Sequence, residues 1–153
     1  MESVWDYPRP PRVEASTRRI RVVFVGVAIA ETTHAFRVLE TSHPPVYYLP
    51  PEDVRTEYLS LNDNHSYCEF KGRADYYDLT IGDRVSRDAA WYYRAPSPHY
   101  QEIRDRIAFY PSRVDACFVG DEQVQAQESD YYGGWITSEI EGPYKGAPGT
   151  LRW

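Results

Sequence analysis

The strongest structural signal in the chain is the segment Ile20-Arg21-Val22-Val23-Phe24-Val25-Gly26-Val27-Ala28-Ile29-Ala30. β-Branched and other apolar residues flank a central Val-Gly pair on both sides. Short hairpin loops require a positive φ, which glycine adopts without steric penalty, so this pattern is typical of two antiparallel strands joined by a tight turn. The segment therefore predicts a β-hairpin over residues 20–30.

The same plan occurs twice more along the chain. Each copy has a β-rich run, a glycine followed by aspartate, and a second β-rich run. Three such hairpins predict a compact, mainly β domain of coiled antiparallel hairpins, barrel-like in form. The two further copies are Leu79-Thr80-Ile81-Gly82-Asp83-Arg84-Val85 and Cys117-Phe118-Val119-Gly120-Asp121-Glu122-Gln123-Val124.

One α-helix is expected to cover a face of the sheet, over about residues 98–110. Ser97 is a suitable N-cap and Pro98 a suitable first helical residue, while Pro111 ends the segment. Apolar side chains recur in it with the period of one buried helical face. These side chains are Tyr100, Ile103, Ile107 and Tyr110.

The 153 residues are expected to form a single domain with two flanking segments. Residues 1–18 are rich in proline and predict an extended arm without ladder hydrogen bonds, ahead of a core over residues 19–126. Residues 127–153 are rich in glycine, proline and aromatic side chains. This composition predicts an irregular tail that docks on the core.

Charge and hydropathy exclude two classes of partner. The net charge is −6, whereas nucleic-acid binding depends on clustered basic residues, so no nucleic-acid partner is expected. No apolar run approaches the roughly 20 residues of a membrane span, and the amino end lacks the basic and apolar regions of a secretion signal. We therefore expect a cytoplasmic protein with no membrane partner.

Lysine is scarce in this chain. Lys71 and Lys145 are its only lysines, against 15 arginines. Genomic base composition accounts for such a bias without any functional reason. The scarcity nevertheless draws attention to the environment of each lysine.

A thiol, a carboxylate and an amine lie next to one another in Ser66-Tyr67-Cys68-Glu69-Phe70-Lys71-Gly72. In a continuous strand Cys68 and Lys71 point to opposite faces, so they share a pocket only if the strand ends or bulges near Gly72. If they converge, Lys71 binds an anionic ligand group or activates Cys68 as a nucleophile. The alternative is that Cys68 is a small buried side chain and Lys71 a solvated charge. Because Cys117 is distant in sequence, both thiols are expected to be free.

Two acidic residues are further candidates. Glu40 follows an apolar run, where a carboxylate either performs acid–base catalysis or accepts backbone hydrogen bonds in the next turn. Cys68 and Glu40 are therefore the candidate catalytic residues. Asp53 either forms a polar wall of a ligand site or pairs with Arg55 at the surface.

Paired tyrosines are the most unusual feature of the composition. On an extended strand each pair places one ring on either face, so half of the rings enter the core and half line a second surface. With Trp91 nearby, that surface is either an aromatic ligand cleft, bordered by Tyr48, Trp91 and Tyr93, or the second layer of an aromatic core. The pairs are Tyr47-Tyr48, Tyr76-Tyr77, Tyr92-Tyr93 and Tyr131-Tyr132.

No metal or cofactor is expected. His65 and Cys68 have a spacing that can chelate, but the chain has no paired Cys-x-x-Cys and no His-Glu-x-x-His motif. Phosphate-binding glycine loops and the Gly-x-Ser-x-Gly elbow of hydrolases are also missing.

A set of ordered motifs resembles the bacterial and fungal family known as domain of unknown function 427, which also carries a nucleotidyltransferase-like label. The similarity extends from about residue 20 to residue 124, and the family motif usually has proline at the position of Glu69. The resemblance implies a compact, mostly β domain of the β-tent type. The motifs are Val38-Leu39-Glu40-Thr41, Pro45-Val46-Tyr47-Tyr48-Leu49-Pro50-Pro51-Glu52-Asp53-Val54, Tyr67-Cys68-Glu69-Phe70-Lys71-Gly72, Ala74-Asp75-Tyr76-Tyr77, Ala89-Ala90-Trp91-Tyr92-Tyr93 and Ile107-Ala108-Phe109-Tyr110.

The leading functional hypothesis is a small-molecule-binding domain, with or without enzymatic activity on a planar or anionic ligand. In it Lys71 binds an anionic group, Trp91 and the tyrosines stack on a planar one, and Glu40 or Cys68 performs any chemistry. The first alternative is a noncatalytic module for protein interaction or homodimerisation. The second is a nucleotidyltransferase.

Overall fold

The computed structural model describes residues 1–153 and consists of short β-strands with brief 3-10 helices between them. The strands are β1 (Glu2–Ser3), β2 (Arg12–Ala15), β3 (Ile20–Phe24), β4 (Val27–Thr32), β5 (Phe36–Leu39), β6 (Val46–Tyr48), β7 (Leu59–Cys68), β8 (Gly72–Ile81), β9 (Arg84–Tyr93), β10 (Ala108–Phe109), β11 (Ala116–Val119), β12 (Glu122–Gln123), β13 (Gln125–Ala126), β14 (Trp135–Ile136) and β15 (Ile140–Glu141). The 3-10 helices are Val4–Asp6, Pro51–Asp53, Thr56–Tyr58, Pro98–Ile103 and Pro111–Arg113.

Three sheets make up most of the fold. Two have four strands, in the orders β10-β9-β8-β7 and β12-β11-β3-β4, and the third has the order β2-β5-β6. All pairs in these sheets are antiparallel. The predicted mainly β, antiparallel class is therefore confirmed, whereas the barrel-like form is not seen because no sheet closes on itself.

The three predicted hairpins are all present. Two-residue loops connect β3 to β4, β8 to β9 and β11 to β12. In the first loop both Val25 and Gly26 have positive φ, 50° and 70°. Gly82 and Gly120 open the other two loops with φ of 58° and 60°. Glycine at these positions explains why the sequence pattern located the turns correctly.

The α-helix expected over residues 98–110 does not form. A kinked 3-10 helix ends at Ile103, and Asp105 follows with a φ of 61°, which is incompatible with a continuing helix. The backbone of Ile107 then exchanges two hydrogen bonds with Leu49, both 2.9 Å, before β10 pairs with β9. The apolar positions of the predicted stripe are buried, but a turn followed by a strand buries them instead of a helix. No helical segment is long and apolar enough to cross a bilayer.

The largest apolar cluster joins the two four-stranded sheets. Trp135, from the carboxyl-terminal segment, is 1% exposed in this cluster, and its indole nitrogen donates a hydrogen bond to the Phe109 carbonyl at 3.1 Å. A buried ring of this size contributes a large share of the apolar area removed from water. Other members are Ile20, Val22, Phe24, Leu79, Ala90, Cys117 and Val119.

A second, aromatic cluster receives the alternate side chains of the same strands. Tyr47 enters the first cluster and Tyr48 the second, and Tyr77 and Tyr76 divide in the same way. Strand alternation thus distributes these two pairs as the sequence predicts. The Tyr131-Tyr132 pair differs from the prediction, because it lies outside the strands and its two rings contact each other edge-on, with 5.0 Å between centroids. The second cluster also contains Val38, Ala74, Trp91, Tyr93, Tyr100, Ile103, Ala108 and Tyr110.

The two ends of the chain contact each other. β1 pairs in parallel with β15, and the Trp5 ring meets the Trp153 ring edge-on with 5.3 Å between centroids. The arm was expected to lack ladder hydrogen bonds, but β1 and β2 both lie in it, and β2 pairs with β5 along its whole length. The remaining residues of the arm, including those between these two strands, have no strand partner.

Candidate functional site

A concave cavity opens beside the aromatic cluster. Its volume is about 350 Å³, in the lower part of the range typical of small-molecule pockets. Aromatic side chains dominate its lining, and several charged groups converge on it. The aromatic residues are Tyr48, Tyr67, Phe70, Tyr76, Trp91, Tyr93, Tyr110, Tyr131, Tyr132 and Trp153.

Six of the seven site residues predicted from the sequence line this cavity. The exception is Asp53, which lies outside it and accepts a hydrogen bond from the Thr32 hydroxyl at 2.7 Å. Arg55 pairs with Glu57 at 3.0 Å. The six lining residues are Glu40, Tyr48, Cys68, Lys71, Trp91 and Tyr93.

Cys68 and Lys71 meet in the cavity because the strand ends between them. β7 stops at Cys68, three residues form the turn, and β8 begins at Gly72, whose Cα lies opposite that of Cys68 in the register. Gly72 has a φ of 106°, a conformation that favours glycine. The strand break that the sequence permitted is therefore present.

Lys71 is a buried cation, with only 8% of its surface exposed. Burial lowers the pKa of the ammonium, but the Tyr48 oxygen, the Cys68 sulfur and the Glu40 carboxylate outweigh that effect and raise the pKa overall. The side chain is therefore charged at neutral pH. No carboxylate lies within ion-pairing distance of it, since Glu40 pairs with Arg9 instead.

Glu40 directly follows β5 at the wall of the cavity. Its carboxylate lies 3.4 Å from Arg9 Nε and 3.7 Å from His43 Nε2. Its backbone carbonyl accepts the His43 N–H at 3.0 Å, which closes the turn after the strand. Glu40 thus combines the turn position with a carboxylate that reaches the cavity.

His43 is neutral, and its tautomer follows from the neighbouring amide. Burial first, then the charges of Lys145, Arg9 and Lys71, lowers its pKa to about 3. The Gln127 carbonyl oxygen accepts the Gly134 N–H at 3.0 Å, and its NH₂ group donates to the Lys145 carbonyl at 2.7 Å. The same NH₂ group lies 3.5 Å from His43 Nδ1, which must therefore accept. The ring proton then resides on Nε2, facing Glu40.

The aromatic wall is held by its own contacts. The Trp91 ring meets Tyr48 edge-on at 6.3 Å and Tyr110 at 4.5 Å, measured between centroids. The Tyr110 hydroxyl donates to the Tyr131 carbonyl at 2.8 Å. Burial raises the pKa of Tyr48 and, more strongly, that of Tyr93, so both hydroxyls stay protonated and can donate hydrogen bonds.

Arg9, His43 and Lys145 also line the cavity, although the sequence motifs did not point to them as site residues. Arg9 and Lys145 lie in the segments interpreted as arm and tail, and His43 lies in a proline-flanked turn. One sequence signal did point to Lys145. The two lysines of the chain, 74 positions apart, both line the same cavity.

The site brings the Glu40 carboxylate, the neutral His43 imidazole, the Cys68 thiol and two ammonium groups together beside aromatic side chains. Such a set can bind an anion, stack on a ring, and move a proton between Glu40 and a ligand. No group of three or more His, Cys, Asp or Glu side chains has the arrangement of a metal site.

The fold and the site define a mainly β domain with a cationic, aromatic-walled cavity. Residues 12–120 match the family model described as Domain of unknown function (DUF427), and the chain belongs to that family. This description assigns no activity. No curated protein matches the chain at a significant level.

Proposed function

We propose that this protein binds a small, planar, anionic molecule in the cavity between the aromatic cluster and the chain ends. The observation that carries the proposal is Lys71, a charged ammonium that is buried beside aromatic rings and has no carboxylate partner. A buried charge without a partner is unfavourable, and a ligand anion would supply the missing counter-charge.

The neighbouring residues divide the remaining roles. Trp91 and Tyr93 line the cavity and would pack against a planar group, and the protonated Tyr48 hydroxyl would donate a hydrogen bond to it. Any chemistry on the ligand would be performed by Glu40, as an acid–base group, or by Cys68, as a nucleophile. Enzymatic activity is thus a separate part of the proposal, and ligand binding does not depend on it.

Ligand-induced changes in melting temperature test the proposal. The panel contains aromatic carboxylates, aromatic phosphates, nucleotides and neutral aromatic amides, applied to the wild type, Lys71→Met and Arg87→Gln. Arg87 is a matched control because it is a cation outside the cavity with a side chain 82% exposed. We expect anionic aromatic compounds to raise the melting temperature of the wild type and of Arg87→Gln but not of Lys71→Met. A panel that leaves the wild type unchanged refutes the proposal.

A second candidate function is homodimerisation or protein interaction through β7. This strand is the free edge of its sheet, ten residues long, and it exposes Leu61 and Tyr67 by 53% and 68%. Free strand edges with exposed apolar side chains pair with other chains. Light scattering at increasing protein concentration tests this function. A dimer that dissociates in the Leu61→Lys variant supports it. A monomer at every concentration excludes homodimerisation.

A further inference from the structure

The cavity is completed by residues outside the part of the chain that matches the family. The family model covers residues 12–120, which contain Lys71 and most of the aromatic wall. The flanking segments add Arg9, Gln127, Tyr131, Tyr132, Lys145 and Trp153 to the lining. The flanks therefore change the charge of the cavity as well as its shape.

Two cations of the cavity have no ion-pair partner. The lining contains the cations Arg9, Lys71 and Lys145 and the carboxylates Glu40 and Glu69. Arg9 and Glu40 pair with each other at 3.4 Å, and Glu69 is exposed at the rim. Lys145 forms no ion pair and lies 5.3 Å from the centre of the Tyr132 ring. The two unpaired cations of this site are the two lysines of the chain, although the protein as a whole has a net charge of −6.

The two lysines act on the same part of the cavity. His43 lies in the wall, and its pKa is lowered by burial and then by the nearby charges of Lys145, Arg9 and Lys71. Lys145 Nζ lies 5.3 Å from the centre of the Tyr132 ring, and that ring lies 4.8 Å from the His43 ring. Both lysines line the same cavity of about 350 Å³, so a ligand that fills it meets both ammonium groups.

We infer that the ligand is a dianion, with Lys71 and Lys145 each facing negative charge. This inference rests on the proposed function and adds its substrate class. The two charges come either from two carboxylates on one ring or from one phosphate ester on a ring. Both chemistries satisfy two ammonium groups, and a monocarboxylate satisfies one.

Calorimetric titration with four single-ring probes tests the inference: benzamide, benzoate, isophthalate and phenyl phosphate. Benzamide is neutral, benzoate is a monoanion, and the other two carry the second charge in the two ways described. One additional charge-assisted contact corresponds to roughly a tenfold gain in affinity. We expect at least one dianion to bind the wild type about tenfold more tightly than benzoate, and the better dianion identifies the source of the second charge.

Variants of Lys145 separate its charge from its structural role. The backbone N–H of Lys145 donates to the Ser42 carbonyl at 2.8 Å, and its carbonyl accepts the Gln127 side chain, so a side-chain substitution preserves both bonds. Lys145→Met should bind benzoate as the wild type does but lose the tenfold preference for the dianion. Lys145→Arg should retain that preference, and Lys71→Met should weaken both kinds of anion.

The outcomes distinguish this inference from the proposed function. If benzoate binds but neither dianion binds more tightly, or if Lys145→Met keeps the full preference, the dianion assignment is wrong and anion binding at Lys71 stands. If none of the charged probes binds better than benzamide, both fail.

Discussion

Lys71 owes its position to a chain turn and not to an ion pair. The turn between β7 and β8 presents its side chain to the cavity, and its carbonyl accepts the Ser97 N–H at 3.0 Å. The scarcity of lysine in the chain indicated Lys71 as a residue of interest, but the burial of its side chain was not predictable from the sequence. Strand alternation leaves two directions open for Lys71 until the end of the strand at Cys68 is known.

At the same scale, the two thiols should differ in reactivity. Cys68 is partly exposed and lines the cavity, whereas Cys117 is 1% exposed and burial raises its pKa, so the reactive thiolate is disfavoured there. We expect iodoacetamide to modify Cys68 alone in the folded protein and both residues in urea. Mass spectrometry of tryptic peptides measures the two sites, with Cys68→Ser as the control. Equal labelling of both thiols under native conditions would contradict the structure.

His43 should make stability depend on pH in a defined direction. Its pKa is lowered from 6.5 to about 3 in the folded protein, so between these values the unfolded chain binds more protons. The free energy of unfolding must therefore fall as the pH falls through this window, by up to about 1.4 kcal/mol per pH unit from this group. Urea unfolding at pH 7, 6, 5 and 4 measures the slope.

A pair of substitutions isolates that contribution. His43→Gln should flatten the slope between pH 6 and 4, while His99→Gln, at an exposed position, should keep it. If both variants show the wild-type slope, His43 is not held neutral by its surroundings.

At the scale of elements, local turn chemistry was predictable and long-range pairing was not. Glycines in two-residue loops located three hairpins, because each loop depends only on its own backbone conformation. Residues 98–110 have a helical apolar period, yet Asp105 turns the chain out of the helix and Ile107 finds its backbone partners on Leu49. The apolar side chains of this segment can be buried either by a helix or by a turn followed by a strand. The pairing of Ile107 with Leu49 therefore determines which of the two forms.

The loop that carries Lys145 gives a prediction at this scale. A Cβ on Gly146 would lie 2.0 Å from the Glu128 carbonyl oxygen, while a Cβ on Gly149 would have no atom within 4 Å. Both glycines have positive φ, 134° and 90°, so alanine at either position costs roughly 1–3 kcal/mol in backbone strain. We expect Gly146→Ala to cost a further 1–3 kcal/mol, roughly, from the clash. Urea unfolding compares them, and equal losses would show that this loop does not pack against Glu128.

At the scale of the whole molecule, the cavity is assembled from arm, core and tail. The residues found from the sequence, such as Tyr48 and Trp91, belong to strands with a recognisable pattern. Arg9 and Lys145 were not predicted as site residues, because they reach the cavity only through contacts between segments that are distant in sequence. Arg9 donates to the Trp153 carbonyl at 3.2 Å, and the Trp5 indole donates to the Pro143 carbonyl at 2.8 Å. No local pattern encodes such contacts.

The scarcity of lysine provides the most direct test of the ligand site. Because the chain has two lysines, both in the cavity, a sample labelled with ¹³C-lysine gives two side-chain ε-methylene signals, which Lys71→Met assigns. We predict that titration with benzoate shifts the Lys71 signal until it saturates, while benzamide leaves it unmoved. A Lys71 signal that stays in place, or drifts without saturation, at benzoate concentrations up to the millimolar range would contradict the assignment of this cavity as an anion-binding site.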